Sequence, residues 1–280
     1  MNVFELLVST IFFRPYVFVF LAAALFCAHR LIGWRRTTWF LGFASLTSFL
    51  CEYASTRTGF PFGWYDYTGS TVDQELYLSN IPFIVPISFS FLLFASYCFA
   101  LFFVLPARPS QKNDRAFRWP TLDFPVEART SWAIFGLTVL FAILIDMVID
   151  PVALRGDRWF LGQLYRYWDP GIHFGVPFTN YIGWIIMVSI SLALYFPMDR
   201  HLPSLSLRPC RSVTETVLLG CGLYFGVLAF NLAVTFWIGE LWLGMTGLLL
   251  YLPVTVLFLL RLLDRFPEAS PQSEKPQPYA

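Results

Sequence analysis

The residues with the clearest chemical potential are two aspartates, Asp146 and Asp150, in an otherwise apolar run that ends at Pro151. A spacing of four places both carboxyl groups on one face of a helix. Two carboxylates this close in a medium of low dielectric constant cannot both ionise cheaply, so we expect the pair to share one proton at neutral pH. Pro151 also predicts a helix boundary near Asp150. The alternative is a structural pair bonded to Arg155, Arg158 or a backbone cap.

A third acid, Glu52, precedes a segment rich in glycine, proline and aromatic residues. Glycine and proline within residues 59–63 make the chain turn and let the backbone approach other groups closely. We expect Glu52 and Asp66 to act together with the aspartate pair. Three nearby aromatic side chains are predicted to line the same site: Trp64, Tyr65 and Tyr67. The alternative is an aromatic belt at the membrane interface, with Glu52 in a salt bridge to Arg57.

A further set of candidates lies in residues 165–184. Trp168 is expected to line the site, and His173 to relay a proton or hold water. The alternative for His173 is an ordinary hydrogen-bonded residue. Asn180 is a candidate for contact with the substrate, and its alternative role is a helix N-cap. We assign Trp184 to helix packing and to the membrane interface.

The composition identifies the environment of these residues. Of the 280 residues, 57% are hydrophobic and only 13% are charged, whereas soluble domains have about 25% charged residues. Long apolar runs recur along the chain, and the short alternating segments of a membrane barrel are absent. We therefore predict an all-α, polytopic transmembrane bundle surrounded by membrane lipid. No basic stretch indicates nucleic acid as a partner.

Seven membrane spans are predicted, and basic residues give their orientation. The spans are residues 15–33, 38–54, 82–105, 131–152, 180–197, 213–236 and 240–261. Fourteen basic residues fall on one side of the bundle and five on the other. Because basic residues concentrate on the cytoplasmic side, we expect the N-terminus outside and the C-terminus in the cytoplasm. The predicted location is the cytoplasmic membrane of a bacterium or archaeon.

Residues 1–263 are predicted to form a single domain, and the proline-rich residues 264–280 a disordered cytoplasmic tail. Two long outer loops, residues 55–81 and 154–179, are predicted to be functional because loops of this length are uncommon in compact bundles. With this topology, every unusual acid lies at the outer membrane face. That clustering favours a reaction site over scattered structural acids.

Several chemistries are excluded by the sequence. There are only three histidines, His29, His173 and His201, too few and too scattered for a membrane di-iron enzyme. The cysteines form no cluster for iron–sulfur or haem ligation. No phosphate-binding loop, dinucleotide fingerprint or DDxxD motif is present. We expect no metal and no cofactor, and acid–base chemistry without redox steps.

Together the three segments resemble the membrane carotenoid-biosynthesis family that contains the carotenoid 1,2-hydratases, which act on γ-carotene-like and bacterioruberin-precursor end groups. The resemblance rests on these residues in this order: Glu52-Tyr53, Thr58-Gly59, Pro61-Phe62-Gly63, Tyr65, Tyr67, Pro82, Pro86, Asp146, Asp150-Pro151, Gly175, Pro177, Asn180 and Gly183-Trp184.

The resemblance implies an acyclic carotenoid substrate and addition of water across its terminal 1,2 double bond. In our interpretation, one acid of the Asp146/Asp150 pair protonates the alkene. Glu52 or Asp66 then stabilises the tertiary cation or accepts a proton from the attacking water, while aromatic faces shelter the cation. The alternatives are a carotenoid end-group cyclase, a carotenoid-binding or transport protein, and a structural membrane subunit. The oligomeric state is not indicated by the sequence.

Overall fold

The computed structural model describes residues 2–108, 121–203 and 210–263. The helices are α1 (Val3–Phe13), α2 (Pro15–Thr58), α3 (Ile84–Val104), α4 (Val126–Arg129), α5 (Trp132–Ala153), α6 (Phe178–His201), α7 (Cys210–Trp237) and α8 (Leu241–Leu263). Six of them are long and apolar enough to cross a membrane: α2, α3, α5, α6, α7 and α8. The all-α polytopic bundle is therefore confirmed. The predicted tail, residues 264–280, lies outside the described residues.

Helix α2 accounts for two crossings. A straight helix of 44 residues would extend about 66 Å, twice the thickness of a hydrocarbon core. Gly33 interrupts it with φ 75° and ψ 163°, a conformation that glycine adopts without a steric penalty. The chain reverses there, because Tyr16 and Glu52, from opposite ends of α2, line one cavity. The six helices thus provide seven crossings, as predicted. The connection is shorter than expected, since residues 34–37 are already helical.

Helix α3 is the innermost crossing. In α3, 78% of the most apolar 18-residue stretch is buried inside the protein, whereas the corresponding share in α8 is 22%. Helices α2, α5 and α7 surround α3, and α8 packs on α7 and α5 at the periphery. The site described below therefore lies among the inner helices, and α8 contributes no residue to it.

Buried ion pairs fix both ends of the bundle. At one end, the Arg14 guanidinium, at the start of α2, binds Glu75 of the first long loop with an Nη2–Oε1 distance of 2.8 Å. At the other end, Arg36 and Arg129 both bind Asp199 near the end of α6. Arg36 and Arg129, which were predicted to share a membrane face, do share an end of the bundle. Which end faces the cytoplasm stays a prediction.

Two pairs of short strands organise the first long loop: β1 (Tyr65–Tyr67) with β6 (Tyr165–Tyr167), and β2 (Tyr77–Leu78) with β3 (Ile81–Pro82). A third pair, β4 (Ala107–Arg108) with β5 (Thr121–Leu122), lies beyond α3. Helix α5 continues to Ala153, so the boundary predicted at Asp150 is three residues too early. Pro151 is accommodated because it lies in the last turn, where its missing N–H removes only one helical hydrogen bond.

Candidate active site

A cavity of about 190 Å³ lies at the end of the bundle where both long loops begin. For comparison, an apolar cavity of roughly 150 Å³ is enough to hold benzene. The cavity therefore has room for a small branched apolar group together with water. Its walls come from both halves of α2, from α3, α5, α6 and α7, and from the two loops. The aromatic members of the wall are Tyr16, Phe20, Phe62, Tyr65, Tyr67, Phe89, Phe91, Trp159, Tyr165, Tyr167, Trp184 and Phe230.

Four tyrosines cover one side of this cavity. Strands β1 and β6 pair antiparallel, so that the two long loops are joined across a hundred residues of sequence. The register sets Tyr65 opposite Tyr167, Asp66 opposite Arg166, and Tyr67 opposite Tyr165. Because successive side chains of a strand point to opposite faces, the four tyrosines share one face. We call them the tyrosine ladder.

One half of the tyrosine ladder binds Glu52. The hydroxyl of Tyr67 donates a hydrogen bond of 2.8 Å to Glu52 Oε2, and the hydroxyl of Tyr65 donates to the same oxygen. The second oxygen, Oε1, accepts no hydrogen bond from a described residue. The strand thereby orients the carboxyl group from one side and leaves one oxygen available on the side of the cavity.

The other half of the ladder binds Asp150. Its Oδ1 accepts a hydrogen bond of 2.5 Å from the Tyr165 hydroxyl, and its Oδ2 accepts one of 2.8 Å from Tyr167. The Asn180 amide nitrogen lies 2.9 Å from Oδ2 of both Asp150 and Asp146, so a single amide joins the two acids. Asp146 is completely buried, and its Oδ1 has no partner among the described residues.

No cation neutralises these three carboxyl groups within residues 2–108, 121–203 and 210–263. The Arg57 guanidinium, which was a possible partner for Glu52, instead binds Asn80. Arg155 and Arg158, the possible partners of the aspartates, both bind Glu240 in the turn between α7 and α8. The salt-bridge alternatives that the sequence left open are therefore wrong.

The same protein pairs other buried acids with arginine. Glu75 and Asp199 are both inaccessible to solvent, and each forms hydrogen-bonded ion pairs with arginine side chains. The acids of the cavity receive only uncharged donors, namely tyrosine hydroxyls and an amide. This difference matters because an unpaired buried charge is far more costly than a paired one.

The ladder hydroxyls stay protonated at neutral pH. Burial raises the pKa of Tyr67 well above its usual range, and the charge of Glu52 raises it further. Burial and the nearby Asp150 carboxyl raise the pKa of Tyr165 and Tyr167 in the same way. These tyrosines therefore serve as hydrogen-bond donors to the acids and do not compete with them for ionisation.

Three predicted site residues lie on the opposite face of the strand pair. Asp66 binds Arg166 with an oxygen–nitrogen distance of 3.0 Å and also accepts a hydrogen bond from the Trp168 indole. Trp64 and Trp168 stack on each other, with ring centroids 5.3 Å apart, and are 40% and 64% exposed. None of the three lines the cavity. The structure therefore does not bring Asp66 together with the other acids.

His173 and Asn180 have different places. His173 Nδ1 lies 2.6 Å from the Tyr181 hydroxyl, and burial lowers the pKa of this histidine. It does not line the cavity. Asn180 does, and the N-cap of α6 is Pro177, so the capping role considered for Asn180 is wrong.

Sequence reasoning did not assign Tyr165, Tyr167 or Trp184 to the site. The two tyrosines were recognisable from the matching Tyr-x-Tyr patterns in the two long loops, which alternate as strands do. Trp184 was assigned to packing and the interface, but it lines the cavity and meets Phe89 edge to face at 5.5 Å. Its position one helical turn after Asn180 indicates the same helix face.

In the described part of the chain, no three histidine, cysteine or acidic side chains are arranged to hold a metal ion. What the cavity does provide is a cluster of acids with neutral donors, set in an aromatic and aliphatic wall. Such an arrangement can deliver a proton to an apolar group, since its acids receive only uncharged donors from the described residues and its wall is largely apolar.

Comparison with known proteins identifies relatives of this chain. The bisanhydrobacterioruberin hydratase of Haloarcula japonica is 28% identical over 206 residues, which cover 71% of this chain and 60% of that protein. The match therefore spans less than two thirds of the relative. No solved structure matches. The model of a family described as carotenoid biosynthesis proteins matches residues 12–253, and the chain, an integral membrane protein by its six long apolar helices, belongs to that family.

Proposed function

We propose that this protein hydrates an acyclic carotenoid, adding water across the terminal 1,2 double bond to form a tertiary alcohol. The family and the hydratase relative support a carotenoid substrate. The observation that carries the reaction type is the cluster of three carboxyl groups with no cationic partner among the described residues, at the wall of a largely apolar cavity.

The first step is proton transfer from the aspartate pair. Asp146 and Asp150 share one proton, since two adjacent carboxylates, one of them completely buried, repel each other strongly. The proton adds to the CH carbon of the terminal alkene, and its two π electrons form the new C–H bond. A cation remains on the carbon that carries two methyl groups. Asp150 is held by three hydrogen-bond donors, whereas Asp146 keeps one unpartnered oxygen.

The cation is then stabilised by the cavity wall. The terminal double bond is not conjugated with the polyene, so the charge cannot spread along the chain. A cation over an aromatic face gains about 2 kcal/mol or more when it is desolvated. Trp184, Tyr65 and Tyr67 line the cavity and take this role. Trp64 and Trp168 do not, because they stack outside it.

Water captures the cation in the last step. Its oxygen forms the new C–O bond, and the released proton moves to Glu52. Among the two acids considered for this step, Glu52 is favoured over Asp66 because it lines the cavity and has a free Oε1. The proton then returns to the aspartate pair through exchange at the cavity, so that turnover consumes one water and no net proton.

The acid-containing end of the bundle is proposed to face the extracytoplasmic side of the cytoplasmic membrane. The five basic residues assigned to that side, against fourteen on the other, support this orientation. Water then enters from the outer face, while the polyene approaches between the helices from the lipid.

The proposal is tested by expression in a host that makes an acyclic carotenoid, under anaerobic conditions and in isotopically labelled water. A hydratase yields a tertiary alcohol that carries the labelled oxygen. A cyclase starts from the same protonation but gives a product with the mass of the substrate. An unchanged pigment, with the protein present in the membrane and correctly folded, contradicts an enzymatic role.

A further inference from the structure

The fate of the cation depends on whether a water molecule is held beside it. A tertiary cation that meets no water loses a proton and returns to an alkene. A hydratase therefore needs polar groups that bind water next to the cationic carbon. This requirement rests on the proposed function, and the cavity wall includes a buried serine, Ser48, that no part of the mechanism has used.

Ser48 is a buried serine with an unsatisfied hydroxyl. It lies in the second crossing of α2, lines the cavity, and is 1% exposed. Its Oγ is buried and makes no hydrogen bond within the described residues. A buried polar atom without a partner is rare in folded proteins and commonly marks a water site or a functional group.

Several other buried helical serines and threonines behave differently. Their hydroxyls donate to the backbone carbonyl one turn earlier, as Ser96 does to Leu92 at 2.8 Å and Ser191 does to Met187 at 2.8 Å. This local bond is the ordinary way to satisfy a hydroxyl inside a helix. Ser48 does not make it, although a carbonyl is equally near in any regular helix. Its hydroxyl is therefore free to bind a ligand in the cavity.

Ser48 and Glu52 share one face of α2. A separation of four residues sets their side chains one above the other. Glu52 Oε2 is occupied by Tyr65 and Tyr67, which leaves Oε1 for another donor. A hydroxyl and a carboxylate oxygen together supply the two to four polar partners that a buried water requires. We propose that Ser48 and Glu52 bind the water that attacks the cation.

The roles of the two residues differ. The water oxygen forms a bond to the cationic carbon, and one of its protons moves to Glu52. Ser48 neither gains nor loses a proton overall, because its hydroxyl only holds the water in place. Loss of Ser48 is therefore expected to leave cation formation intact and to impair its capture.

Deuterium oxide separates these two events. In deuterated solvent the aspartate pair transfers a deuteron to the alkene, and a cation that escapes capture returns as alkene that retains deuterium. The purified protein in lipid nanodiscs is supplied with an acyclic carotenoid. Mass spectrometry then measures two quantities: hydrated product and deuterium in unhydrated carotenoid.

For Ser48→Ala we expect the ratio of hydrated product to deuterated alkene to fall about two- to tenfold, the effect of one lost hydrogen bond. Ser48→Cys keeps the volume but is a weaker donor and is expected to give an intermediate ratio. The matched control is Ser191→Ala, which removes a buried helical serine outside the cavity and should leave the ratio unchanged. The two serine variants give independent readings if one of them folds poorly.

An unchanged ratio in both Ser48 variants would overturn the assignment. So would an equal loss of hydrated product and deuterated alkene, which would place the defect at protonation. The proposed function fails in a different way, since wild-type protein would then give neither hydrated product nor deuterium in the alkene.

Discussion

Replacing Asp146 by asparagine is expected to abolish hydration without unfolding the protein. Asparagine has the shape of aspartate, and its carbonyl oxygen can still accept the 2.9 Å hydrogen bond from the Asn180 amide. Its NH₂ group takes the place of Oδ1, which has no partner in the described structure. No existing hydrogen bond is therefore lost, and one of two adjacent acids is removed.

The loss of activity follows from the shared proton. Without Asp146, Asp150 loses the acid with which it shares the Asn180 amide and a proton, and three donors remain to stabilise it as an ionised acceptor. The remaining carboxylate cannot protonate an alkene. Removal of a general acid lowers the rate by about 10²- to 10⁴-fold, which is roughly 3–5 kcal/mol in the activation free energy.

Asp150→Asn gives a useful contrast. An asparagine at this position must accept hydrogen bonds from Tyr165, Tyr167 and Asn180 with one oxygen fewer. We expect a similar loss of activity together with a loss of stability of about 0.5–1.5 kcal/mol, the value of one hydrogen bond. Asp66→Asn is the matched control, because Asp66 lies on the opposite face of the strand pair and should leave hydration unchanged.

The assay is chromatography and mass spectrometry of carotenoids from nanodiscs that contain equal amounts of folded protein, with thermal unfolding followed in parallel. A folded Asp146→Asn protein that hydrates at the wild-type rate would refute the proton-donor role of the pair. If the folded Asp66→Asn variant were inactive and the Asp146→Asn variant active, the site would lie on the opposite face of the strand pair.

Three further predictions follow from individual contacts. Arg14→Met leaves Glu75 buried and unpaired, so we expect a loss of about 3–5 kcal/mol in unfolding free energy. The double variant Arg14→Met/Glu75→Leu should recover most of this loss. An unaltered melting temperature in the single variant would contradict a stabilising role of the ion pair. Tyr165→Phe and Tyr167→Phe should each cost about 1–3 kcal/mol of stability and slow hydration. Wild-type activity in the double variant would contradict the role of the tyrosine ladder in holding Asp150. Burial lowers the folded-state pKa of His173 below its ordinary value of 6.5, so protonation favours the unfolded chain. His173 should therefore not affect stability above pH 6.5, and stability should fall as the pH drops below 6.5 and through the lower folded-state pKa. His173→Gln should flatten this part of the curve of melting temperature against pH.

The fold was predictable because its signals are strong and local. Each apolar run is long enough to be a span, and Arg30, Arg35 and Arg36 lie between the first two runs. The acids were recognisable for the same reason, since Glu52, Asp146 and Asp150 stand out in apolar surroundings. Their meeting at one cavity follows from the alternation of spans, which returns the end of α2 and the end of α5 to the same side.

The positions of the strand residues relative to the cavity were not predictable because short strands are hard to recognise among helices. In the pattern Tyr65-Asp66-Tyr67, a strand sends Asp66 away from its neighbours, whereas a loop imposes no such alternation. The same alternation puts the side chains of Trp168 and Tyr167 on opposite faces. Tyr-x-Tyr in two loops a hundred residues apart was visible, but their pairing depends on tertiary contacts that no local pattern encodes.

Asp146, a member of the proton-donating pair, and Glu52, the proposed proton acceptor, differ in their access to solvent, and this difference fits the proposed steps. Asp146 has no accessible surface, whereas Glu52 retains some. Proton donation to a hydrocarbon is favoured where water cannot compete for the proton, while the acceptor must meet a water molecule in order to take its proton. Glu52, which is partly exposed, and Asp146, which is completely buried, meet both conditions within one cavity. Exchanging the two roles would place the base where water is excluded and the acid where water would level its strength.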